Sequence, residues 1–187
     1  MNKEKEKELI DLCRGGNAEA FGLLYDAYAR EIYRFVYYKT SHKETAEDLV
    51  GQVFTKAWSS ITGYRGIGFR AWLYGIARNA VIDHYRRKRP TEDIDDHWDL
   101  ASPDNQAGEL DKQFDQARIR AALSTLSFEE RDILIMRFWQ DMEYREIAVA
   151  LGKTEGAVKM KAYRTLANMK DRFAITPLAF IFLKYLL

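Results

Sequence analysis

Residues 143–164, EYREIAVALGKTEGAVKMKAYR, read as two short helices around a tight turn. Ile147, Ala148 and Leu151 give the first helix an apolar stripe, and Gly152 follows as a residue able to take positive φ and end it. Thr154 is a good N-cap for the second helix, where Ala157, Val158 and Leu166 are apolar and Lys159, Lys161 and Arg164 are not. This is helix-turn-helix punctuation, and in that motif the second helix enters the major groove. An αα-hairpin with solvated lysines shares the periodicity. The coincidence of a glycine turn with a basic outer face favours DNA.

Working outward, nearly every segment has helical periodicity and none sustains period-2 alternation, so the expected fold is all-α. Asn17 can cap a helix with Phe21, Leu24, Tyr25, Tyr28, Ile32 and Val36 on one face. The run Ser41-His42-Lys43-Glu44 has a capping-box pattern. The helix after it puts Ala46, Leu49, Val50, Val53, Phe54 and Ala57 on an apolar stripe and leaves Asp48, Gln52 and Thr55 outward. A glycine-rich loop at 62–68 precedes a long helix from about Phe69, expected to bury Trp72, Leu73, Ile76 and Ala80 before running out through RRKR at 86–89 to Pro90. Ser127-Phe128-Glu129-Glu130 is a second capping box, opening a helix with Ile133, Leu134, Met136 and Phe138.

The chain's formal net charge of +1 hides strong segregation. Residues 30–90 carry twelve cations against five anions, residues 91–115 nine anions against the single Lys112, and residues 116–173 return to a net +3. Two basic blocks around an acidic stretch suggest two nucleic-acid-facing modules on a linker. The boundaries implied are 1–90 for the first block, 91–114 for the linker, 115–173 for the second block and 174–187 for an apolar tail. A lone cysteine, Cys13, excludes an internal disulfide and a Cys-rich zinc site, and its apolar neighbours make it a core residue. The charged start MNKEKEKEL lacks the apolar run of a signal peptide, and no apolar run reaches membrane-spanning length, so a soluble intracellular chain is expected. His42, His84 and His97 are isolated and no nucleophile–base arrangement stands out, which points away from an enzyme, a cofactor or a metal.

At this level the chain resembles the extracytoplasmic-function sigma factors, the compact two-domain group of bacterial promoter-recognition proteins. The likeness rests on AEDLVGQVF at 46–54, KAW at 56–58, FRAWL at 69–73, IARN at 76–79 and Ile82-Asp83 in the first block. In the second it rests on LSTL at 123–126, Glu130-Arg131, YREIA at 144–148 and GAVK at 156–159. One such motif would say little; several, in order and on either side of an acidic linker, are specific.

The resemblance implies an all-α fold of two small helical domains, called sigma regions 2 and 4, that hold core RNA polymerase and recognise promoter DNA. Asp48 and Gln52, with Phe54 and Trp58 nearby, would dock on the polymerase, where an acidic edge can meet basic partners. Tyr64, Phe69 and Tyr74 would offer ring faces to the melted minus-ten strand, and Arg65, Arg70, Arg78 and Arg86 would neutralise its phosphates. Asn79 would lie near the base-reading surface, and the loop glycines would permit close backbone approach. Thr154, Glu155, Lys159, Met160, Lys161 and Arg164 would face the minus-thirty-five duplex. Ala157 and Met160 depart from the threonine and small polar residue common in the family, so base preference does not carry over. The resemblance also implies an anti-sigma partner, no small-molecule substrate and a cytoplasmic, nucleoid-associated place, held at the membrane where an anti-sigma partner resides there. The tail from Ala174 reads either as a last packed helix or as a contact surface for such a partner or for the membrane face. The acidic linker, tethered beside both basic blocks, is expected to compete with DNA for them.

Two other readings share part of this pattern. A stand-alone helix-turn-helix regulator leaves residues 45–90 without a task, and a polymerase-binding adaptor that never touches DNA leaves the basic blocks unexplained.

Overall fold

The computed structural model describes residues 1–40, 42–66, 68–88 and 125–173. The acidic linker, Arg89 and Pro90, the start of the second block up to residue 124 and the apolar tail lie outside the described residues. Among the described residues the chain is helical throughout: α1 (Lys3–Arg14), α2 (Ala18–Thr40), α3 (Lys43–Ser60), a 3₁₀ turn (Ile61–Gly63), α4 (Phe69–Lys88), α5 (Phe128–Leu134), a π-helical turn (Ile135–Trp139), α6 (Tyr144–Leu151) and α7 (Glu155–Phe173).

Capping explains most of the boundaries. The Asn2 side chain accepts the Lys5 amide at 2.8 Å to open α1, and Asn17 accepts the Ala20 amide at 2.9 Å to open α2. Ser41, which opens the capping box expected at the start of α3, lies outside the described residues. His42 caps α3, its Nδ1 accepting the Thr45 amide at 3.3 Å. Ser127 and Glu130 do form a reciprocal capping box at the head of α5. Gly152 ends α6 at φ 64°, and the Thr154 hydroxyl accepts the Ala157 amide at 3.3 Å beside the head of α7.

In the first block α2, α3 and α4 pack on one another and α1 lies along α2. The expected stripe of α3 is buried in full, as is Cys13. Removing each large apolar side chain from water contributes ~1.5–3 kcal/mol. Of the expected α2 face Leu24, Tyr28, Ile32 and Val36 are buried and Phe21 partly so, whereas the expected α4 face is rotated. Tyr25 of α2 is exposed while Phe35 is wholly buried, and the deeply buried residues of α4 are Phe69, Ala71, Leu73, Tyr74, Ala77 and Val81. Trp72, Ile76 and Ala80 are only partly covered. The reason is tertiary: α4 is clasped on a second side by α6 of the other block, so its buried surface is wider than a single amphipathic stripe.

In the second block Val158, Ala162, Thr165 and Met169 form the buried edge of α7, at spacings of four, three and four residues. Ala157, apolar by type, is exposed. The buried apolar residues of the two blocks form one continuous cluster, with α4 packed directly on α6.

Candidate nucleic-acid and polymerase interfaces

The outward edge of α3 is a shallow polar groove of about 560 Å³ lined by Asp48, Gly51, Gln52, Thr55, Lys56 and Ser59. Asp48 and Gln52 stand one helical turn apart and are exposed, as their spacing implies. Phe54 is not part of this surface. Its ring is buried edge-on against Phe21, with centroids 6.3 Å apart, and against Tyr25 at 4.7 Å. Trp58 is half-buried against Phe21, their ring centroids 5.0 Å apart, and does not line the groove.

The loop after α3 is built differently from the expected stacking platform. Tyr64 is 7% exposed and Phe69 is fully buried; their rings meet edge to face at 5.7 Å, and Trp72 closes the group 5.2 Å from Tyr64. The Gly68 amide donates to the Tyr64 hydroxyl at 3.0 Å, and Arg14 of α1 donates to the Tyr64 carbonyl. Gly66 and Gly68 take φ of 77° and 107°, which a side chain would resist. The aromatic residues therefore shape the loop from within, while Arg65, Asn79 and Arg86 are left outward. Tyr74 is also wholly buried and offers no free ring face.

Arg70 and Arg78, expected on the DNA side, each have a partner in the second block, and Arg70 has another, Glu31, in the first. Arg70 bonds Glu31 through Nε at 2.8 Å and donates to the Gln140 carbonyl, while the Tyr74 hydroxyl donates to the Gln140 side-chain oxygen at 2.9 Å. The π-helical turn presents Gln140 at its end, and the next residue, Asp141, takes φ 51°, a left-handed conformation that aspartate tolerates better than most. Arg78 donates through Nε to Asp132 of α5 at 2.7 Å. The other Asp132 oxygen pairs with Lys39 of α2, whose ammonium also lies 3.8 Å from the Phe128 ring centroid. Lys39 and Asp132 are essentially inaccessible to water. Burial pushes the Lys39 ammonium down from its ordinary value, and Asp132 opposes that shift. A buried ion pair adds little net stability, but losing one partner costs ~3–5 kcal/mol, so this cluster fixes how the blocks dock more than how tightly.

On the far side of the second block α7 presents Glu155, Lys159, Met160, Tyr163 and Arg164 to solvent. Met160 is 53% and Tyr163 64% exposed, one helical turn apart on this face. Lys159 pairs with Glu155 at 2.7 Å. Lys161 turns toward the body of the block, where it and Lys153 both reach Glu129, at 3.2 and 3.1 Å. Burial alone would raise the Glu129 carboxyl, but hydrogen bonds from Lys153 and Lys161 outweigh it and hold it below the usual range. Glu130 is lowered in the same way by the backbone and hydroxyl of Ser127.

Sequence reasoning did not single out Lys39, Asp132, Gln140 or Tyr163. A signal existed for Lys39, which continues the α2 stripe of Ile32, Phe35 and Val36, where a lysine is out of place unless paired.

The helix-turn-helix of the second block and the outward groove on α3 of the first are two separate exposed surfaces. Comparison with known proteins identifies the family. Sigma-70 region 2 matches residues 24–91 and Sigma-70, region 4 matches residues 116–169. The chain is 33% identical over 171 residues to the ECF RNA polymerase sigma factor SigX of Bacillus subtilis, covering 84% of this chain and 85% of SigX. It is 35% identical over 170 residues to the ECF RNA polymerase sigma factor BldN of Streptomyces coelicolor, covering 87% of this chain but 63% of BldN. Among solved structures it is similar to the sigma factor RpoE of Bartonella quintana, in complex with the anti-sigma factor NepR, at 26% identity and a TM-score of 0.62, covering 81% of this chain and 94% of that one. CnrH, in complex with the cytosolic domain of CnrY, shares the fold at 22% identity and a TM-score of 0.63, covering 89% and 97% of the two chains. The chain belongs to the extracytoplasmic-function family of RNA polymerase sigma factors. No helix among the described residues is long and apolar enough to cross a membrane.

Proposed function

We propose that this sigma factor docks on core RNA polymerase through the α3 groove around Asp48 and Gln52 and recognises promoter DNA with two separate surfaces. The turn at 62–66, Asn79 and the exposed cations Arg65 and Arg86 take the melted minus-ten strand, joined by Arg70 and Arg78 when they are released. The outer face of α7, from Thr154 and Glu155 through Lys159 and Met160 to Arg164, takes the minus-thirty-five duplex, with Lys161 at its inner margin. The working units are 1–90, the linker 91–114 and 115–173. The chain acts as an initiation factor in the cytoplasm, with no catalysis of its own, and is held in check by an anti-sigma protein.

The observation that carries this reading is the α3 groove. It is an outward polar surface on a helix whose opposite face is wholly buried, and a stand-alone DNA-binding protein has no use for it. In vitro run-off transcription with bacterial core polymerase, beside gel shifts of the protein alone, tests it. Specific transcripts that depend on this chain are expected. Duplex binding without any effect on polymerase would favour the stand-alone regulator, and polymerase binding without DNA contact the adaptor.

A further inference from the structure

We infer that Lys39 and Arg78 together form a phosphate-binding site for the promoter DNA backbone, which Asp132 occupies when the two blocks are closed on each other. This rests on the proposed promoter-recognition reading and adds to it one new DNA-contacting residue, Lys39, and one internal mimic, Asp132.

The geometry points this way from three sides. Each oxygen of the Asp132 carboxylate takes one cation, Lys39 on one side and Arg78 at 2.7 Å on the other, much as two non-bridging phosphate oxygens would. Among the described residues, the opposite charge at both Lys39 and Arg78 comes from Asp132 alone, across the block boundary. Separation of the blocks therefore leaves two adjacent cations, on α2 and α4, without a counter-charge, and a compact doubly basic site binds anions. The Phe128 ring that covers the Lys39 ammonium also belongs to the second block and leaves with Asp132.

Position on α4 favours the DNA backbone as the source of the phosphate. Arg70 and Arg78 are eight residues apart, about 12 Å along the helix axis; the second block supplies the Gln140 carbonyl to one and the Asp132 carboxylate to the other, and Arg70 keeps Glu31 of α2 as a further partner. Asn79 is exposed immediately beside Arg78. A strand whose bases face Asn79 would run its phosphates past both cations, and Lys39 would complete the second contact.

The test uses the full chain and a labelled short oligothymidine, because a backbone site does not depend on base sequence. Asp132→Asn keeps the side-chain shape and removes the charge. It should bind the oligonucleotide about tenfold more tightly than the parent, the effect of freeing one charged contact. Adding Lys39→Gln should remove most of that gain and flatten the slope of log affinity against log salt by about 0.7, one phosphate's worth of released counterions. Gly75→Leu, which wedges the blocks apart without altering charge, gives the same comparison by a second route should Asp132→Asn fold poorly, with helix content followed by circular dichroism. Equal affinity and salt slope with and without Lys39→Gln in an opened background overturns the assignment. So does inorganic phosphate displacing the oligonucleotide at low millimolar concentration, which marks a free-phosphate site. Run-off transcription by the parent protein separates the two levels: its absence removes the sigma reading, whereas its presence with an indifferent Lys39 removes only this inference.

Discussion

Gly75 of α4 and Ala150 of α6 meet so closely that a β-carbon on Gly75 would stand 3.1 Å from the Ala150 carbonyl oxygen. The two helices belong to different blocks, and the missing side chain lets their backbones approach. In an isolated helix, replacing this glycine by alanine would gain up to ~1 kcal/mol in propensity. Here that gain opposes a clash with backbone, which cannot move aside as a flexible side chain would. Gly75→Leu should therefore increase the radius of gyration in small-angle scattering while helix content is kept. An unchanged radius would mean that the blocks are not held by this contact.

Asp48 and Gln52 are expected to matter for polymerase and not for stability. Both are exposed on α3 opposite its buried stripe. Changing both to arginine should weaken binding to core polymerase and shift thermal unfolding by less than ~0.5 kcal/mol, as for surface positions in general. Phe54→Ala is the contrasting case: its buried ring predicts a loss of ~3–5 kcal/mol in stability. Docking affinity and unfolding, measured on both variants, distinguish surface from core.

The two DNA surfaces should separate by the form of DNA they read. Lys159→Ala and Arg164→Ala should each weaken binding to a minus-thirty-five duplex, by ~1–3 kcal/mol where the side chain reaches a base edge. Asn79→Ala and Arg65→Ala should leave that binding intact and reduce open-complex formation, followed by permanganate reactivity of unpaired thymines. Equal loss of duplex binding from both pairs would contradict the division.

Tyr64 tests whether the loop is shaped from within. Tyr64→Phe removes the hydroxyl that accepts the Gly68 amide but keeps the ring between Phe69 and Trp72. A stability loss of ~1 kcal/mol is expected, together with impaired strand capture. A base-stacking tyrosine would instead tolerate phenylalanine in both assays.

The second block should be acid-sensitive. Glu129 and Glu130 both titrate below their ordinary range in the fold. The stability they contribute is present in full above the unfolded carboxylate value of ~4.3 and is lost as pH falls through the lower folded values. Thermal unfolding between pH 7 and pH 3 should show this decline, and Glu129→Gln should flatten it. An equally steep decline in that variant would place the acid-sensitive groups elsewhere.

The sequence by itself determined the local structure. The apolar stripe of α3, the glycine that ends α6, the capping box at Ser127 and the outward positions of Asp48, Gln52, Lys159 and Arg164 all follow from spacing and cap chemistry, because those signals act over three or four residues. Side-chain burial on α4, by contrast, could not be read from periodicity, because that helix is covered on two sides by elements distant in the chain. The same long-range packing turned Tyr64, Phe69 and Tyr74 inward, where the sequence suggested ring faces for DNA. The burial of Phe54 was already legible in the α3 stripe; only the resemblance had set it beside the docking surface. Lys39 and Asp132, 93 positions apart, could be joined only by tertiary structure: an ion pair buried between two blocks leaves no periodic trace, because its energy depends on what excludes water from it and not on its neighbours along the chain.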